Sequence, residues 1–253
     1  DNALGYLYGG SATNANSNFN HDVSAIYGQF EYSITKRFSI TSNFRRENSR
    51  YAYSGQSTGI NSYYETISLP DISFKTIDKM NGYKFFTKYE LNKKTNFFAT
   101  FSKGFKAGGV NQQPFLALVN RPFDPEYLYN YEIGLKIKTP KTNTRFTAFV
   151  GQRKNQQVSI SSQQEEGNPN SFLFYTDNAT SGENNGFEFE NTFEIFKNLN
   201  LSTSIGYLNT YIEEFSYQIS ENDSSSKGGG RESAMSPNCL LYTSDAADDW
   251  SSG

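Results

Sequence analysis

Polar and apolar residues alternate most regularly in a hairpin that runs from residue 127 to residue 153. In its first arm every second position is aromatic or aliphatic: Tyr127, Tyr129, Tyr131, Ile133, Leu135 and Ile137. The positions between them are mostly polar or charged. Successive side chains of a β-strand leave opposite faces of the sheet, so this period of two predicts a strand.

The second arm follows a turn at residues 140–143, whose sequence is PKTN. Phe146, Ala148 and Val150 share one face of this arm, while Arg153 lies on the other. One face of the hairpin is therefore apolar at consecutive alternate positions, as a strand in contact with lipid requires. The opposite face carries charges, which need water or an opposite charge.

The same alternation recurs along the rest of the chain. It predicts strands at residues 23–34, 38–44, 83–91, 97–101, 187–195 and 201–207. Tight turns are expected near residues 36, 93, 142 and 198, and the connections between these hairpins are far longer. Short turns at one end and long loops at the other are typical of outer-membrane barrels. A soluble sandwich or propeller would space its turns more evenly, at about 8–12 residues. The pattern predicts an all-β fold, a partial antiparallel transmembrane β-barrel.

The overall composition is compatible with that fold. Hydrophobic residues make up 36% of the 253 residues, aromatic residues alone 16%, and the mean hydropathy is -0.67. The sequence lacks the run of about 18 apolar residues that a transmembrane helix needs, but a barrel strand needs only about ten residues with every second one apolar. The formal net charge of -3 gives no electrostatic argument for a nucleic-acid partner.

Both ends of the chain predict a segment of a longer protein. The first ten residues, DNALGYLYGG, read as strand and not as a signal peptide. The only cysteine, Cys239, and the only tryptophan, Trp250, both lie near the other end. There the string CLLYTSDAADD at residues 239–249 resembles the in-frame translation of a sequencing adapter. We therefore assign residues 1–237 to the barrel and predict that residues 238–253 are a non-native tail.

Several strand-and-loop segments resemble one protein family. They are FFATFSKGFKAGGVN at residues 97–111, FDPE at 123–126, NYEIGLK at 130–136, NGFEFE at 185–190 and GRESAMSP at 230–237. These segments resemble the C-terminal barrel of TonB-dependent outer-membrane receptors. The resemblance covers most of residues 23–237 and breaks off at Asn238, where a further strand should begin.

The resemblance implies a barrel of 22 strands with an N-terminal plug, of which this chain would hold about nine strands. Such receptors move scarce ligands, for example ferric siderophores, inward with energy relayed by TonB. The implied location is the cell outer membrane. The implied partners are outer-membrane lipid, the plug domain of the same protein, TonB through a missing N-terminal part, and a metal chelate or other small ligand. The implied function is transport and not catalysis.

Long loops and the strand ends that lead into them are where a ligand site is expected. Aromatic rings there can stack on a flat chelate or a sugar, and cations can attract an anionic ligand. The candidate ligand-binding residues are Tyr51, Tyr53, Tyr63, Tyr64, Lys103, Lys106, Phe115, Arg121 and Phe123. Packing within the loops explains any single one of the aromatic residues equally well.

Charged residues on the polar strand faces are expected to face the lumen of the intact barrel. They are Glu132, Lys136, Arg153, Glu188 and Glu190. Because opposite charges on neighbouring strands stabilise pairing, an ion-pair network that braces the wall is favoured over a ligand path. Glu188 and Glu190 lie two residues apart on a solvated strand face, which does not favour an acid–base pair.

The sequence offers little material for catalysis or for a metal site. His21 is the only histidine, and we interpret it as a surface residue without a second ligand. The glycine-rich stretch at residues 104–109 lacks the phosphate-binding pattern and is expected to have a structural role. We therefore predict no enzyme activity, no catalytic residues, no bound metal and no cofactor.

Two other functions remain open at this point. One is a receptor of the same barrel type that imports an oligosaccharide or cobalamin. The other is a soluble all-β binding or adhesion module. The soluble module predicts that a second sheet buries the face formed by Tyr127 to Ile137, whereas a membrane barrel leaves that face to lipid.

Overall fold

The computed structural model describes most of the chain. The described residues are 14–60, 66–68, 71–113, 116, 118–163, 172–197, 199–213, 215–217, 226–230, 232 and 239–247. The strand predicted at residues 1–10 and the turn residue 198 lie outside this part.

The described chain consists almost entirely of strands. In chain order they are β1 (Asn14–Ser33), β2 (Phe38–Ile60), β3 (Thr66–Ser68), β4 (Ile72–Asn92), β5 (Thr95–Lys106), β6 (Gly109–Val110), β7 (Pro122–Phe123), β8 (Glu126–Lys138), β9 (Thr142–Gln163), β10 (Phe172–Phe196), β11 (Leu199–Ile212), β12 (Phe215–Tyr217), β13 (Ser226–Gly228) and β14 (Cys239–Ala247). A 3₁₀ turn at Leu118–Asn120 is the only helical element in the described residues. No described helix is long and apolar enough to cross a membrane.

One antiparallel sheet contains all the long strands. Its order is β1-β2-β4-β5-β8-β9-β10-β11-β14, and β3 pairs with β2 outside this path. Each long strand from β1 to β11 thus pairs with the long strands next to it in sequence, which is the topology of an up-and-down barrel. In the described residues the sheet does not close on itself. The prediction of an all-β fold and a partial antiparallel barrel is confirmed.

An apolar and aromatic band covers one face of the sheet, which we call the outer face. Phe85, Phe101, Tyr131 and Val150 lie in register across β4, β5, β8 and β9. The rings of Phe101 and Tyr131 stack with their centroids 4.8 Å apart. Ile133 in the same band is 64% exposed, because no described segment covers it. The burial of this face that a soluble module requires is therefore not observed.

The opposite, inner face is polar, and glycine makes room on it for aromatic rings. Gly134 of β8 lies against the ring of Phe98 and the backbone oxygen of Phe146. Phe98 itself is buried. The Nζ of Lys136 lies 5.3 Å from the centroid of this ring, and the guanidinium carbon of Arg145 lies 6.0 Å from it. The glycine of the NYEIGLK segment thus allows two cations to cover a packed aromatic ring.

Threonine side chains close two of the tight turns. Oγ1 of Thr35 accepts hydrogen bonds from the N–H groups of Arg37 (3.2 Å) and Phe38 (3.0 Å). Oγ1 of Thr139 accepts one from the N–H of Thr142 (3.0 Å). These side chains bind backbone groups that the sheet ladder leaves unpaired in the turn. They therefore help to set the register of the hairpins on either side.

The predicted non-native tail contributes β14, which pairs antiparallel with β11. The end of β11 would otherwise present free backbone groups, and such an edge accepts almost any extended segment. Backbone pairing makes little demand on side chains, so the boundary at residue 237 stays a prediction.

The outer face can be tested by placing a charge in the apolar band. In the full-length protein that contains this segment, Leu135→Arg should lower the free energy of unfolding in a lipid bilayer by about 2–4 kcal/mol near the midplane. Ser204→Arg introduces the same side chain on the inner face opposite Glu190, and its effect should be within about 0.5 kcal/mol. Urea titration of both variants in the same vesicles measures the difference. Equal unfolding midpoints for the two variants would contradict the assigned faces.

The packing of Gly134 predicts an unusual effect of alanine. Alanine in place of a strand glycine normally stabilises by about 0.5–1 kcal/mol. At Gly134 an added Cβ would approach the backbone oxygen of Phe146 to 2.5 Å, so Gly134→Ala should instead destabilise by about 1–3 kcal/mol. Gly206→Ala is the matched control, because nothing lies within 4 Å of a Cβ added there. In urea unfolding, Gly134→Ala should lower the free energy of unfolding and Gly206→Ala should raise it. A Gly134→Ala variant as stable as the parent would show that this packing is wrong.

Candidate functional site

Segment 107–125 connects β5 to β8, and its described residues fold over the inner face at one end of the sheet. Val110 packs against Tyr53 of β2 and Ile72 of β4. The hydroxyl of Tyr53 donates a hydrogen bond to the backbone oxygen of Gln112 (3.4 Å). These contacts anchor the segment to one wall of the sheet.

A second set of contacts anchors the same segment to β10. Nδ2 of Asn111 donates to the backbone oxygen of Thr176 (2.8 Å), and its Oδ1 accepts from the N–H of Thr176 (2.9 Å). The amide thus pairs with this strand residue much as a neighbouring strand would. Strands β5, β8 and β9 lie between β4 and β10 in the sheet. Segment 107–125 therefore bridges two distant parts of the wall.

The amide side chains of Asn178 and Gln157 hold the two ends of the segment. Oδ1 of Asn178 accepts from the N–H of Asp124 (2.6 Å), and its Nδ2 donates to the backbone oxygen of Asp124 (3.0 Å). Nε2 of Gln157 donates to the backbone oxygens of Asp124 (3.1 Å) and Ala107 (2.8 Å). Both ends of the segment are therefore tied to the extensions of β9 and β10.

Glu126 is a buried carboxylate at the point where the segment enters β8. Its side chain is 8% exposed and forms an ion pair with Arg153, with 2.5 Å between Oε1 and a guanidinium nitrogen. Its other oxygen accepts from the N–H of Gln157 (2.9 Å). A buried charge needs such partners, so this contact fixes β8 against β9. Sequence analysis did not single out Glu126 as a site residue, although it belongs to the quoted FDPE segment.

Asn155 lies in the extension of β9. It has a φ of 52°, a left-handed conformation that asparagine adopts more readily than most residues. The β9–β10 pairs on either side of it, Lys154 with Ser181 and Gln156 with Ala179, keep one register. This backbone conformation is therefore accommodated without a change in strand pairing.

Burial shifts the pKa of several groups around the segment. Desolvation raises the pKa of Asp78, the N–H of Gly108 at 3.1 Å from its Oδ2 partly offsets this, and the charge of Asp124 adds to it. Desolvation also raises the pKa of Asp177 and lowers that of Arg121. In all three groups desolvation is the largest cause of the shift, because each side chain is partly removed from water.

The shift of Asp78 predicts how packing of the segment depends on pH. Because the pKa of Asp78 is higher in the packed state than in an opened state, the packed state binds more protons. Packing should be strongest below the ordinary pKa of aspartate and should weaken as the pH rises through the raised value. Asp78→Asn still offers an oxygen to Gly108 but cannot ionise, so its packing should be independent of pH in this window. Hydrogen exchange of the Gly108 amide, corrected for the intrinsic rate, measures this.

The control for this prediction is Asp71→Asn, at the exposed residue that immediately precedes β4. It should keep the pH dependence of the parent protein. A parent protein whose Gly108 protection did not change with pH would contradict the raised pKa as a determinant of packing.

The aromatic and arginine candidates are mostly part of this packed region. Tyr51 and Tyr53 lie on the inner face and are 6% and 5% exposed. Arg121 is 4% exposed and donates through Nε to the backbone oxygen of Leu116 (3.0 Å). Phe123 is half-buried over Gly109, where an added Cβ would come within 2.6 Å of the ring. Tyr63, Tyr64 and Phe115 lie outside the described residues.

The structure does not bring the two candidate lysines together with Arg121. Lys103 lies on the outer face, where its Nζ is 4.4 Å from the ring centroid of Tyr127 and 5.5 Å from that of Tyr129. Lys106 is exposed at the end of β5. The same alternation that makes Phe101 face outward makes Lys103 do so, which the sequence pattern alone already indicated.

The five lumen candidates all lie on the inner face: Glu132, Lys136, Arg153, Glu188 and Glu190. Glu132 accepts a hydrogen bond from Nδ2 of Asn130 (2.6 Å). Among the described residues, the ion pairs are Arg45–Glu47, Lys88–Glu90 and Arg153–Glu126. Of the five, only Arg153 takes part in one of them. The first two pairs join residues two apart on one strand, so they do not link neighbouring strands.

A groove of about 880 Å³ lies against β1, β2, β4 and β5. Its inner-face lining residues include Tyr27, Arg45, Glu47 and Lys84. Tyr27 is 76% exposed, and Lys84 is also exposed. Sequence analysis missed these four residues, although the alternation in each strand already assigned Tyr27 and Lys84 to the polar face.

An aromatic stack continues the inner face of β1 above this groove. The ring of His21 stacks on that of Tyr51 with centroids 4.3 Å apart, and Phe19 lies 6.2 Å from both. Nε2 of His21 forms a hydrogen bond with Oγ of Ser49 (2.7 Å). No group of three or more His, Cys, Asp or Glu side chains in the described chain could hold a metal ion. The arrangement therefore offers rings and cations to a ligand, and not metal-binding side chains.

Comparison with known proteins identifies the family. The family model for the β-barrel of TonB-dependent receptors, described as TonB dependent receptor-like, beta-barrel, matches residues 1–238. The chain belongs to this family of receptor barrels. No curated protein sequence matches the chain significantly.

Solved structures of such receptors share the fold. The ferric yersiniabactin uptake receptor FyuA from Yersinia pestis superposes with a TM-score of 0.72 at 16% identity, over 92% of this chain and 32% of its own. The siderophore receptor PiuA from Acinetobacter baumannii gives 0.60 at 15% identity, over 90% and 31%. The copper transporter OprC gives 0.60 at 12% identity, over 76% and 29%. The chain thus spans about a third of the length of these proteins, and at such identities the likeness shows the fold.

Proposed function

We propose that the protein belongs to an outer-membrane receptor that imports a ferric siderophore or a similar iron chelate. The similar structures include a ferric yersiniabactin uptake receptor and a siderophore receptor, which supports this cargo. The proposal concerns the whole protein, because the chain spans about a third of those receptors. Its other parts would supply the plug and the contact with TonB.

The observation that carries the proposal is the groove on the inner face. Tyr27 provides aromatic surface and Lys84 provides positive charge, while Arg45 is paired with Glu47 in the same groove. An anionic chelate with flat, apolar groups needs this combination, because rings cover its apolar surface while cations attract its charge. The walls of the barrel would exclude water and strengthen that attraction.

Transport in this proposal begins with binding and involves no catalysis. The ligand enters from the extracellular side, where segment 107–125 narrows the opening, and contacts the aromatic stack of Phe19, His21 and Tyr51. It then reaches the groove, and rearrangement of the plug lets it pass. The exposed Lys106 at the rim remains a candidate for the first attraction of the ligand.

We also propose that the receptor part of the chain ends near residue 237 and that residues 238–253 are foreign. The family match ends at residue 238, which supports this boundary. Resequencing the parent gene across this point tests it: further alternating strands in place of CLLYTSDAADD are expected. A continuous natural reading frame through residue 253 would contradict it.

Lys84 gives a specific test of the groove. In the full-length receptor, Lys84→Glu should weaken binding of an anionic ferric chelate by about 1–2 kcal/mol at low salt, roughly tenfold in affinity, because attraction becomes repulsion. The loss should shrink as salt screens the charge. Lys75→Glu is the matched control, since Lys75 is an exposed lysine on the outer face of the same strand. Titration of the purified receptor with a panel of ferric siderophores measures both variants.

The control should bind as the parent does, and equal affinity of Lys84→Glu at low salt would remove the groove from the binding site. Growth of a strain that depends on this receptor tests the cargo itself. If the strain needs this receptor to grow on a ferric chelate as its iron source, the proposed cargo is supported. If it needs the receptor to grow on an oligosaccharide or on cobalamin, the barrel is assigned to that ligand instead.

A further inference from the structure

A ladder of cations lies on the outer face of β2 and β4, directly above the aromatic band on the side of segment 107–125. Four successive outward rungs pair Ala52 with Lys75, Arg50 with Ile77, Asn48 with Lys79 and Arg46 with Asn81. Each rung contributes one cation, and the next rung, Phe44 with Tyr83, begins the band. We call Arg46, Arg50, Lys75 and Lys79 the cation ladder.

All four side chains of the cation ladder are exposed. The residues next to them in sequence, among them Ser49 and Met80, are buried on the inner face. This alternation places the cation ladder on the outer face of the sheet. It is directed away from the groove and the proposed ligand path, so transport of a ligand through the lumen does not explain it.

The ladder is only partly balanced by acidic residues. In the described part of the chain, none of its four members belongs to an ion pair. Asp22 is the register partner of Arg50 across β1 and β2. Asp71 lies at the upper end, where it accepts a hydrogen bond from Nε2 of Gln56 (3.3 Å). Like charges on adjacent rungs repel one another, so this concentration of cations favours binding of an anion from outside the protein.

Aromatic rings show where the ladder lies relative to a bilayer. Lys103 and Lys154 lie over the rings of Tyr127 and Tyr129, with Nζ-to-centroid distances of 4.4 to 5.5 Å. Tyrosine rings with lysine at the border of an apolar band form the interfacial girdle of a membrane barrel. Lys103 is the register partner of Tyr83. The cation ladder therefore begins at the level of the lipid headgroups and rises from there.

We propose that the cation ladder binds the phosphate groups of a phosphorylated lipid in the outer leaflet. Arginine recognises phosphate with two parallel hydrogen bonds, and lysine adds a mobile point charge. Successive rungs on one face are about 7 Å apart, so neighbouring cations can bind two phosphates of one headgroup. The inference rests on the outer-membrane location in the proposed function, but it is independent of the cargo.

The test is lipid binding by the full-length receptor in a neutral detergent. The probe is bis-phosphorylated lipid A with a fluorescent label, and a dephosphorylated lipid A is the comparison. The triple variant R46Q/R50Q/K79Q should lose at least about tenfold in affinity for the phosphorylated probe, since each cation near an anionic lipid surface contributes to binding. Its affinity for the dephosphorylated probe should equal that of the parent.

The matched control is K88Q/K136Q/R145Q, which removes three cations from the inner face outside the groove. It should bind phosphorylated lipid A as the parent does. R46K/R50K keeps the charge and should retain most of the affinity. Both sets must show the shift in electrophoretic mobility on heating that a folded barrel gives. An unchanged affinity of the outer-face variant, or an equal loss in the inner-face control, would overturn the proposal.

Two further measurements separate the lipid from other anions and from the cargo. Inorganic phosphate should displace lipid A no better than chloride at equal ionic strength, and stronger displacement would make this a site for free phosphate instead. Uptake of the ferric chelate is measured on the same variants. Loss of lipid binding with intact uptake supports the ladder, whereas intact lipid binding with no iron uptake by the parent would reject the cargo alone.

Discussion

Every backbone N–H and C=O group inside a bilayer needs a hydrogen-bond partner within the protein, and the rest of this structure depends on that constraint. The chain meets it with long strands, each paired to the next along β1 to β11. Once the strands are fixed, the period of two divides all side chains between two faces. The outer face carries the aromatic band, and the inner face carries glycines, charges and the groove. The two environments of one strand therefore explain why a chain of such low mean hydropathy suits a membrane.

At the end of the sheet where segment 107–125 lies, side chains pack differently from those in the apolar band. Strands there extend beyond the apolar band, and segment 107–125 packs on their inner side through Val110, Asn111 and the partners of Asp124. Carboxylates and amides hold this region together with the small apolar cluster of Val110, Tyr53 and Ile72. Glu126 with Arg153 and Asp78 with Gly108 are examples, and each satisfies a backbone or charged group that the loop would otherwise leave unpaired. The described residues of the loop are therefore packed against the sheet at this end.

The candidate site illustrates which predictions a sequence supports. Period two predicts that Glu132, Lys136 and Glu190 share one face, and the strand register places them on the same side of the sheet, while their role in a lumen wall stays a prediction. The surroundings of the candidate residues in and near loops were harder to predict from the sequence. Tyr53 and Arg121 serve packing, and Lys103 lies on the outer face with Tyr127. A loop residue's surroundings depend on segments far away in sequence, such as Thr176 for Asn111.

The sequence by itself determined that the chain is all-β, which residues share the apolar face of the sheet, where the tight turns near residues 36, 93 and 142 lie, and to which family the barrel belongs. These properties depend on local alternation and on short motifs, both of which can be read from neighbouring residues. Only the tertiary structure decided that segment 107–125 joins β4 to β10 and that Tyr27 and Lys84 share a groove. The cation ladder also required it, because the register of β2 against β4 brings together cations that lie up to about 30 residues apart in sequence. Such register is set by pairing across the sheet, and no single strand contains it.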